Sequence, residues 1–189
     1  MRAFVGIPVT EAAAGPMLRL QDALRLPRPV PEENLHLTLA FLDECDLPTL
    51  EQVNEGLEAI VAPAMTLRVA HLDLIGSTQA PGLIAAMIAP DPALTALRNR
   101  VRRVAEDAGV PLARERFRPH VTLIRIPRAE QVHLAARARA AVGATLLHGL
   151  ELSADRFALY RSTIGTHGSV YDVLAEYPLR PVVPPPPAV

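Results

Sequence analysis

The 189-residue sequence contains no Lys, no Trp and only one Cys, Cys45. A single thiol forms no intramolecular disulfide and cannot supply a thiolate cluster for structural zinc. No apolar run reaches the roughly 18 residues that a transmembrane helix needs, and the apolar segment within residues 1–8 is too short for a signal peptide. We therefore expect a cytoplasmic protein without a membrane partner, whose stability comes from its hydrophobic core.

Charge is distributed unevenly along the chain, although the formal net charge is only -1. Residues 1–94 carry a net charge of -7 and residues 95–189 carry +6, and every basic residue is Arg. The basic half contains two Arg-rich stretches, at residues 98–103 and 114–118. Such a stretch either attracts a polyanion such as a nucleic acid or forms a solvated helix face, and we favour the solvated face for the first stretch.

The order of apolar and turn-forming residues predicts a single α+β domain over residues 1–180, made of two similar lobes related by a pseudo-twofold axis. Strands are predicted at residues 2–8, 34–42, 65–75, 83–89, 119–126, 156–164 and 169–179, and helices at residues 10–26, 46–62, 91–108 and 129–142. The Pro-rich segment 181–189 is predicted to be a flexible tail.

Two tetrads with one pattern, HLTL beginning at His36 and HVTL beginning at His120, lie 84 positions apart in alternating strands. In a strand, residues i and i+2 face the same side, so each His shares a face with the Thr that follows it, Thr38 or Thr122. The Leu and Val residues between them cover the opposite, core-facing side. If the two lobes close on their twofold axis, the two imidazole and hydroxyl faces line one groove.

Two imidazoles in one groove suit in-line displacement at phosphorus. One ring takes a proton from the attacking oxygen and the other gives a proton to the leaving oxygen, and each transfer is worth about 10²–10⁴-fold in rate. Since the ordinary pKa of His is about 6.5, the two rings can hold complementary protonation states near neutral pH. The Thr hydroxyls can hold the non-bridging oxygens without adding charge. We expect neither a metal nor another cofactor.

The sequence resembles the 2H phosphoesterases, and among them the RNA 2′,3′-cyclic phosphodiesterases, which are also called 2′-5′ RNA ligases. The resemblance covers roughly residues 2–180 and rests on the two tetrads together with their flanking residues. These flanks are PEENL at 31–35, FL at 41–42, FRP at 117–119, Arg125, LYRS at 159–162, Tyr171 and YPL at 177–179.

The resemblance implies a bilobal fold in which two antiparallel sheets line a central groove, with helices outside. It also implies opening of RNA 2′,3′-cyclic phosphate ends to 2′-phosphates, with weak reverse 2′-5′ ligation. The implied partners are RNA ends, with tRNA halves as one source, or nucleoside 2′,3′-cyclic phosphates, and we expect a monomer.

Carried over to this chain, the resemblance makes His36 and His120 the acid–base pair, with Thr38 and Thr122 holding the phosphate. We assign water activation to His120 and protonation of the 3′ oxygen to His36, although the near-symmetric sequence itself leaves the two roles open.

Three further residues are candidates for substrate binding. The resemblance implies that Phe41 and Arg125 flank the base. Each lies five positions after its histidine, however, so strict alternation places it on the opposite face unless a bulge redirects it. Arg118 shares the face of His120 by strand parity and is a candidate phosphate contact.

Two alternatives remain open at this point. An enzyme with the same histidines could act on a small cyclic nucleotide or on ADP-ribose cyclic phosphate. A non-catalytic RNA-binding module would explain the basic half alone, and in that case neither histidine would affect any activity.

Overall fold

The computed structural model describes residues 1–114, 116–145, 149–165 and 168–181. The predicted tail beyond residue 181, as well as His148 and His167, lies outside the described residues. The strands are β1 (Arg2–Pro8), β2 (His36–Glu44), β3 (Met65–Gly76), β4 (Pro81–Ile88), β5 (His120–Arg125), β6 (Glu151–Ala154), β7 (Arg156–Gly165) and β8 (Gly168–Pro178). The helices are α1 (Glu11–Leu24), α2 (Leu47–Glu58), α3 (Pro92–Asp107) and α4 (Gln131–Ala144), with a 3-10 turn at Glu32–Asn34.

Within the described residues, the strands form two antiparallel four-stranded halves that meet at one point. Across the sheet the strand order is β6-β3-β4-β5-β2-β1-β7-β8. The two halves are joined by the antiparallel pairing of β5 with β2, whose recorded register is the single pair Leu37 with Val121. Each tetrad therefore lies on the innermost strand of its half, and the two tetrads are neighbours at the centre of the molecule.

The helices cover one face of these strands and bury the main hydrophobic core. That core includes Met17 of α1, Val53 of α2, Val101 of α3 and Ala138 of α4, together with alternate strand residues such as Leu37. Helix α1 follows β1 but packs on β5, β6 and α4, whereas α3 follows β4 but packs on β2 and α2. This exchange of helices ties the two halves together.

Sequence patterns located most elements to within two or three residues, with three differences. The four-residue strand β6 was not predicted, since four residues give too short an alternation, and it forms by pairing with Met65–Arg68 of β3. The 3-10 turn was also not predicted. Helix α2 ends at Glu58, four residues before the predicted residue 62. The N-cap residue of α1 is Thr10, whose side chain makes no capping hydrogen bond. Asp46 and Asp91 do cap α2 and α3 through their carboxylates.

No helix in the described ranges is both long enough and apolar enough to cross a membrane.

Candidate active site

The crossing of β2 and β5 brings the two histidines and the two threonines together. Because Leu37 and Val121 form an antiparallel pair, the positions that flank them lie opposite each other across the two strands: His36 opposite Thr122, and Thr38 opposite His120. Leu37 and Val121 are fully buried on the helix side, whereas the His and Thr residues are only partly buried on the other face. The four side chains thus form one cluster on the helix-free face of the sheet.

Both histidine rings are held in the same way by a backbone carbonyl two residues earlier. The Nδ1 of His36 lies 2.7 Å from the carbonyl oxygen of Asn34, and the Nδ1 of His120 lies 2.7 Å from that of Arg118. A carbonyl only accepts hydrogen bonds, so Nδ1 carries the proton in each ring. When a ring is neutral, its Nε2 therefore has the free lone pair, and when the ring is charged, Nε2 has a transferable proton.

The surroundings of the two histidines differ. The ring of His36 lies 4.7 Å from that of Phe4 and 5.1 Å from that of Tyr171, with Tyr160 at 6.1 Å. Burial among these rings, opposed by the hydrogen bond to Asn34 and reinforced by the nearby charges of Arg125 and His120, lowers the pKa of His36 to about 4. The protein alone therefore holds His36 neutral at pH 7.

The low pKa of His36 predicts a loss of stability in acid. Between pH 6.5 and about 4 the unfolded chain binds a proton at His36 that the folded protein does not bind, so the free energy of unfolding falls as pH is lowered. Because the residue is only partly buried, we expect wild type to lose about 1–2 kcal/mol more than His36→Gln between pH 7 and about pH 4.5. Urea unfolding of both proteins at the two pH values measures this difference. Equal losses of unfolding free energy in the two proteins would contradict the lowered pKa of His36.

Gly6 of β1 allows the His36 ring to lie close to the backbone. It is paired with Thr38, and a Cβ built on it would meet the carbonyl oxygen of Leu37 at 3.0 Å and Cδ2 of His36 at 3.4 Å. A side chain at this position would therefore press on both the β2 backbone and the imidazole. The sequence pattern did not single out Gly6 as a site residue.

Bulges in both central strands turn Phe41 and Arg125 toward the face of the histidines. The register of β2 against β1 shifts between Thr38 and Ala40, which makes Leu39 the extra residue. The register of β5 against β4 shifts in the same way between Thr122 and Ile124. Each bulge reverses the alternation, so that Phe41 is 66% exposed and Arg125 is also exposed.

The strand directions nevertheless separate Phe41 from Arg125. Residues after Thr38 run past His120, whereas residues after Thr122 run past His36, because the two strands are antiparallel. Accordingly, Phe41 lines a cavity with Thr38 and His120, and the charge of Arg125 acts on His36. The two candidate stacking groups lie at opposite ends of the cluster.

Arg118 lines the same cavity as His120 and is held by an acidic residue. Its guanidinium donates to the carboxylate of Asp73 at 2.7 Å, and both side chains are about half exposed. The cavity has a volume of about 250 Å³. An exposed ion pair contributes little free energy, so an incoming phosphate can compete for this guanidinium.

Sequence reasoning missed the residues that shape the environment of His36. Phe4 and Tyr160 are buried and stacked at 4.8 Å, and Asn34 is buried with its amide donating to the backbone oxygen of Ser169 on β8. Asn34 thereby ties the carbonyl that holds His36 to the β7–β8 hairpin. The spacing Asn-x-His was a signal for this role, whereas the aromatic contacts depend on register across three strands.

The remaining polar candidates contribute no second cluster. Within the described ranges, no three His, Cys, Asp or Glu side chains are grouped as metal ligands would be. His71 and His133 are exposed and belong to no such group. Cys45 is buried, and burial, with the neighbouring acidic residues, raises the pKa of its thiol.

Most of the chain matches one known protein family. The family model described as "2'-5' RNA ligase superfamily" matches residues 9–165. The chain belongs to this superfamily. The family expected from the two tetrads is therefore confirmed, and with it the 2H phosphoesterase assignment.

Relatives of the superfamily match over nearly the whole chain. A curated protein of Thermus thermophilus named "RNA 2',3'-cyclic phosphodiesterase" is 29% identical over 191 residues, covering 95% of this chain and 91% of its own. One of the same name from Aeropyrum pernix is 26% identical over 167 residues, covering 86% and 94%.

Solved structures confirm the predicted α+β fold of the superfamily. The crystal structure of TT0787 of Thermus thermophilus aligns with a TM-score of 0.77 at 26% identity, covering 97% of this chain and 100% of that one. The structure of E. coli LigT complexed with 3'-AMP aligns with a TM-score of 0.70, covering 94% and 96%. At 24% identity, the LigT likeness shows the fold alone.

Proposed function

We propose that this member of the 2′-5′ RNA ligase superfamily hydrolyses 2′,3′-cyclic phosphate ends of RNA to 2′-phosphomonoesters by acid–base catalysis with its two histidines. The observation that carries this proposal is the antiparallel pairing of Leu37 with Val121, which puts His36 opposite Thr122 and Thr38 opposite His120 on the two central strands. The names of the Thermus and Aeropyrum relatives support the choice of substrate. Weak reverse ligation uses the same groups in the opposite direction.

The proposed reaction is a single in-line displacement. A water oxygen attacks phosphorus and forms the new P–O bond while its proton passes to Nε2 of neutral His120. The bond between phosphorus and the 3′ oxygen breaks, and protonated His36 gives its Nε2 proton to that oxygen. The hydroxyls of Thr38 and Thr122 donate to the non-bridging oxygens, where they stabilise the charge of the transition state. The products are a 2′-phosphate and a 3′-hydroxyl.

The acid role of His36 requires a proton that burial opposes. Its pKa of about 4 in the protein alone would leave it uncharged at neutral pH. A phosphodiester bound beside the ring carries a negative charge, which favours the imidazolium and raises the pKa again. Substrate binding and protonation of His36 are therefore coupled, and kcat, which reports the bound state, extends to higher pH than kcat/KM.

Phe41 and Arg125 offer planar faces on which bases can stack. Since they lie at opposite ends of the cluster, each is proposed to stack on a base on its own side of the phosphate rather than both on one base. This arrangement suits a reaction that, when run backwards, needs a nucleoside on each side of phosphorus.

The product of the reaction tests the proposed function. The purified protein is incubated in chelator with cytidine 2′,3′-cyclic phosphate, with an oligonucleotide that ends in the cyclic phosphate, and with ADP-ribose 1″,2″-cyclic phosphate. We expect cytidine 2′,3′-cyclic phosphate and the oligonucleotide each to give a 2′-phosphate, which chromatography identifies. A 3′-phosphate product would mean that the 2′ oxygen, and not the 3′ oxygen, is the leaving group. Turnover of ADP-ribose cyclic phosphate alone would favour the alternative of an enzyme for small cyclic phosphates.

Gly6→Ala is expected to lower kcat without unfolding the protein. The added Cβ presses on the β2 backbone and the His36 ring, and displacement of a catalytic group by a fraction of an ångström costs about tenfold in rate. Steady-state kinetics with cytidine 2′,3′-cyclic phosphate measures the change. Gly143→Ala is the matched control, because a Cβ there meets nothing within 4 Å. Equal kcat values for the two variants would contradict a positioning role for Gly6.

A further inference from the structure

Among the described residues, four arginines line the cavity beside His120, and the proton transfers proposed above involve none of them. The cavity is lined by Thr38, Phe41 and His120 on the side of the candidate active site, and by Arg98, Arg102, Arg116, Phe117 and Arg118 on the far side. We call the far side the arginine notch and define it by those last five residues. Two of the arginines come from α3 and two from the segment that leads into β5.

The arginine notch exists because β2 and β5 diverge on both sides of their crossing, and another segment of the chain fills only one of the two gaps. On the side of the crossing toward Arg125, residues 28–30 occupy the gap. The backbone N–H of Val30 donates to the carbonyl oxygen of Leu123, and the backbone N–H of Arg125 donates to the carbonyl oxygen of Arg28. On the other side, residues 39–41 of β2 border the cavity instead. The two ends of an otherwise symmetric cluster therefore differ, and the open end carries the guanidinium groups.

The arginines of the notch are arranged to receive an anion. The guanidinium of Arg98 lies over the ring of Phe117 at 4.6 Å from its centroid, which fixes its plane. Arg102 is paired with Glu106 at 3.1 Å and its side chain is only 17% exposed, whereas Arg116 is exposed. Planar guanidinium forks match the oxygens of a phosphate in pairs, and several of them converging on one cavity favour a phosphodiester over a single carboxylate.

We propose that the arginine notch binds a backbone phosphodiester of RNA adjacent to the reacting cyclic phosphate. This inference rests on the proposed function, because the cavity is continuous with Thr38 and His120 and a ligand there must lie next to the reacting phosphorus. Phe41 lines the same cavity and its ring is largely exposed, so a base can stack on it. The notch thus makes an RNA strand, rather than a mononucleotide, the preferred substrate.

Comparison of a mononucleotide with a dinucleotide tests the notch. The substrates are cytidine 2′,3′-cyclic phosphate and the dinucleotide CpC with the same cyclic end and a 5′-hydroxyl. The dinucleotide has one additional cytidine and one internal phosphodiester. Wild type is compared with the double variant Arg102→Gln/Arg116→Gln. The matched control is Arg103→Gln, on the same helix and exposed but outside the notch. Thermal melting checks that all three proteins fold.

We expect the double variant to lose about fivefold or more in kcat/KM for the dinucleotide and less than about twofold for the mononucleotide. The slope of log kcat/KM against log salt should also become shallower for the dinucleotide, by about 0.7 for each phosphate that the variant no longer neutralises. Arg103→Gln should behave as wild type does. Equal losses on both substrates, or none on either, would overturn the proposal.

A second measurement tests whether the notch binds an RNA phosphodiester in the absence of a cyclic end. Plain CpC, with hydroxyls at both ends, is added to the mononucleotide reaction and its binding is measured by calorimetry. Inhibition and binding that are stronger for wild type than for the double variant would support the notch as a phosphodiester site, and equal inhibition of both proteins would overturn it. If wild type hydrolyses neither substrate, the proposed function fails, while calorimetry with CpC still decides whether the notch binds RNA.

Discussion

Replacing either central histidine is expected to lower kcat for cytidine 2′,3′-cyclic phosphate by about 10²–10⁴-fold, with KM changed far less. The reason is that each imidazole acts on a proton that moves only in the transition state, whereas the Thr hydroxyls and the opposite ring still bind the phosphate. His36→Gln and His120→Gln keep a polar side chain of similar length. Steady-state kinetics across pH should show a bell-shaped profile for wild type and the loss of one limb in each variant.

The control for these variants is His133→Gln, which removes an exposed histidine from α4 and should leave the kinetics unchanged. The double variant His36→Gln/His120→Gln should lose little more than the worse single variant, because groups that act as a unit are strongly non-additive. If each single variant retained more than about a tenth of wild-type kcat, the two-histidine mechanism would be wrong even though the family assignment stands.

Each His–Thr pair of the central cluster could be predicted from sequence because it depends on strand parity alone. His36 and Thr38 are two residues apart, as are His120 and Thr122, so any extended strand puts each pair on one face. The repeated pattern located both pairs without knowledge of how the strands meet. Strand parity did not predict that the two His–Thr pairs meet through the pairing of Leu37 with Val121. That contact depends on where two antiparallel strands cross.

Phe41 and Arg125 show where parity stops being sufficient. Alternation predicts that both point into the core, and the resemblance predicts the opposite. The bulges at Leu39 and Leu123 resolve the conflict in favour of the exposed face. No residue type marks these bulges, since Leu is an ordinary strand residue and neither bulge uses a glycine. A register shift of this kind arises from the pairing of two strands, which a single strand's sequence does not encode.

The different environments of His36 and His120 were also beyond the sequence pattern. Phe4 and Tyr160 come from β1 and β7, and they surround His36 only because those strands lie on the same side of β2 in the sheet. On the side of His120 the neighbours are instead the arginines of the notch. The internal repeat predicts symmetry, whereas two ends with different surroundings are what an acid and a base with different tasks require.

A bridging sulfur in the substrate separates the acid from the base. When sulfur replaces the 3′ oxygen in cytidine 2′,3′-cyclic phosphate, the leaving group is a thiolate, whose conjugate acid has a pKa of about 8.5, close to that of a Cys thiol. Such a group departs without a proton, whereas an alkoxide does not. We therefore expect His36→Gln to recover about 10²-fold relative to wild type on the sulfur substrate, and His120→Gln to remain as impaired as on the oxygen substrate.

Thiolate release is followed with a disulfide dye, and the ratio of rates on the two substrates is compared among wild type and both single variants. The ratio is used because sulfur also changes intrinsic reactivity, and that change is common to all three proteins. Recovery of His120→Gln instead would exchange the two roles, which would also agree with a neutral His36 acting as base at its pKa of about 4. Recovery of neither variant would mean that no histidine protonates the leaving oxygen, and the in-line acid–base scheme would fail.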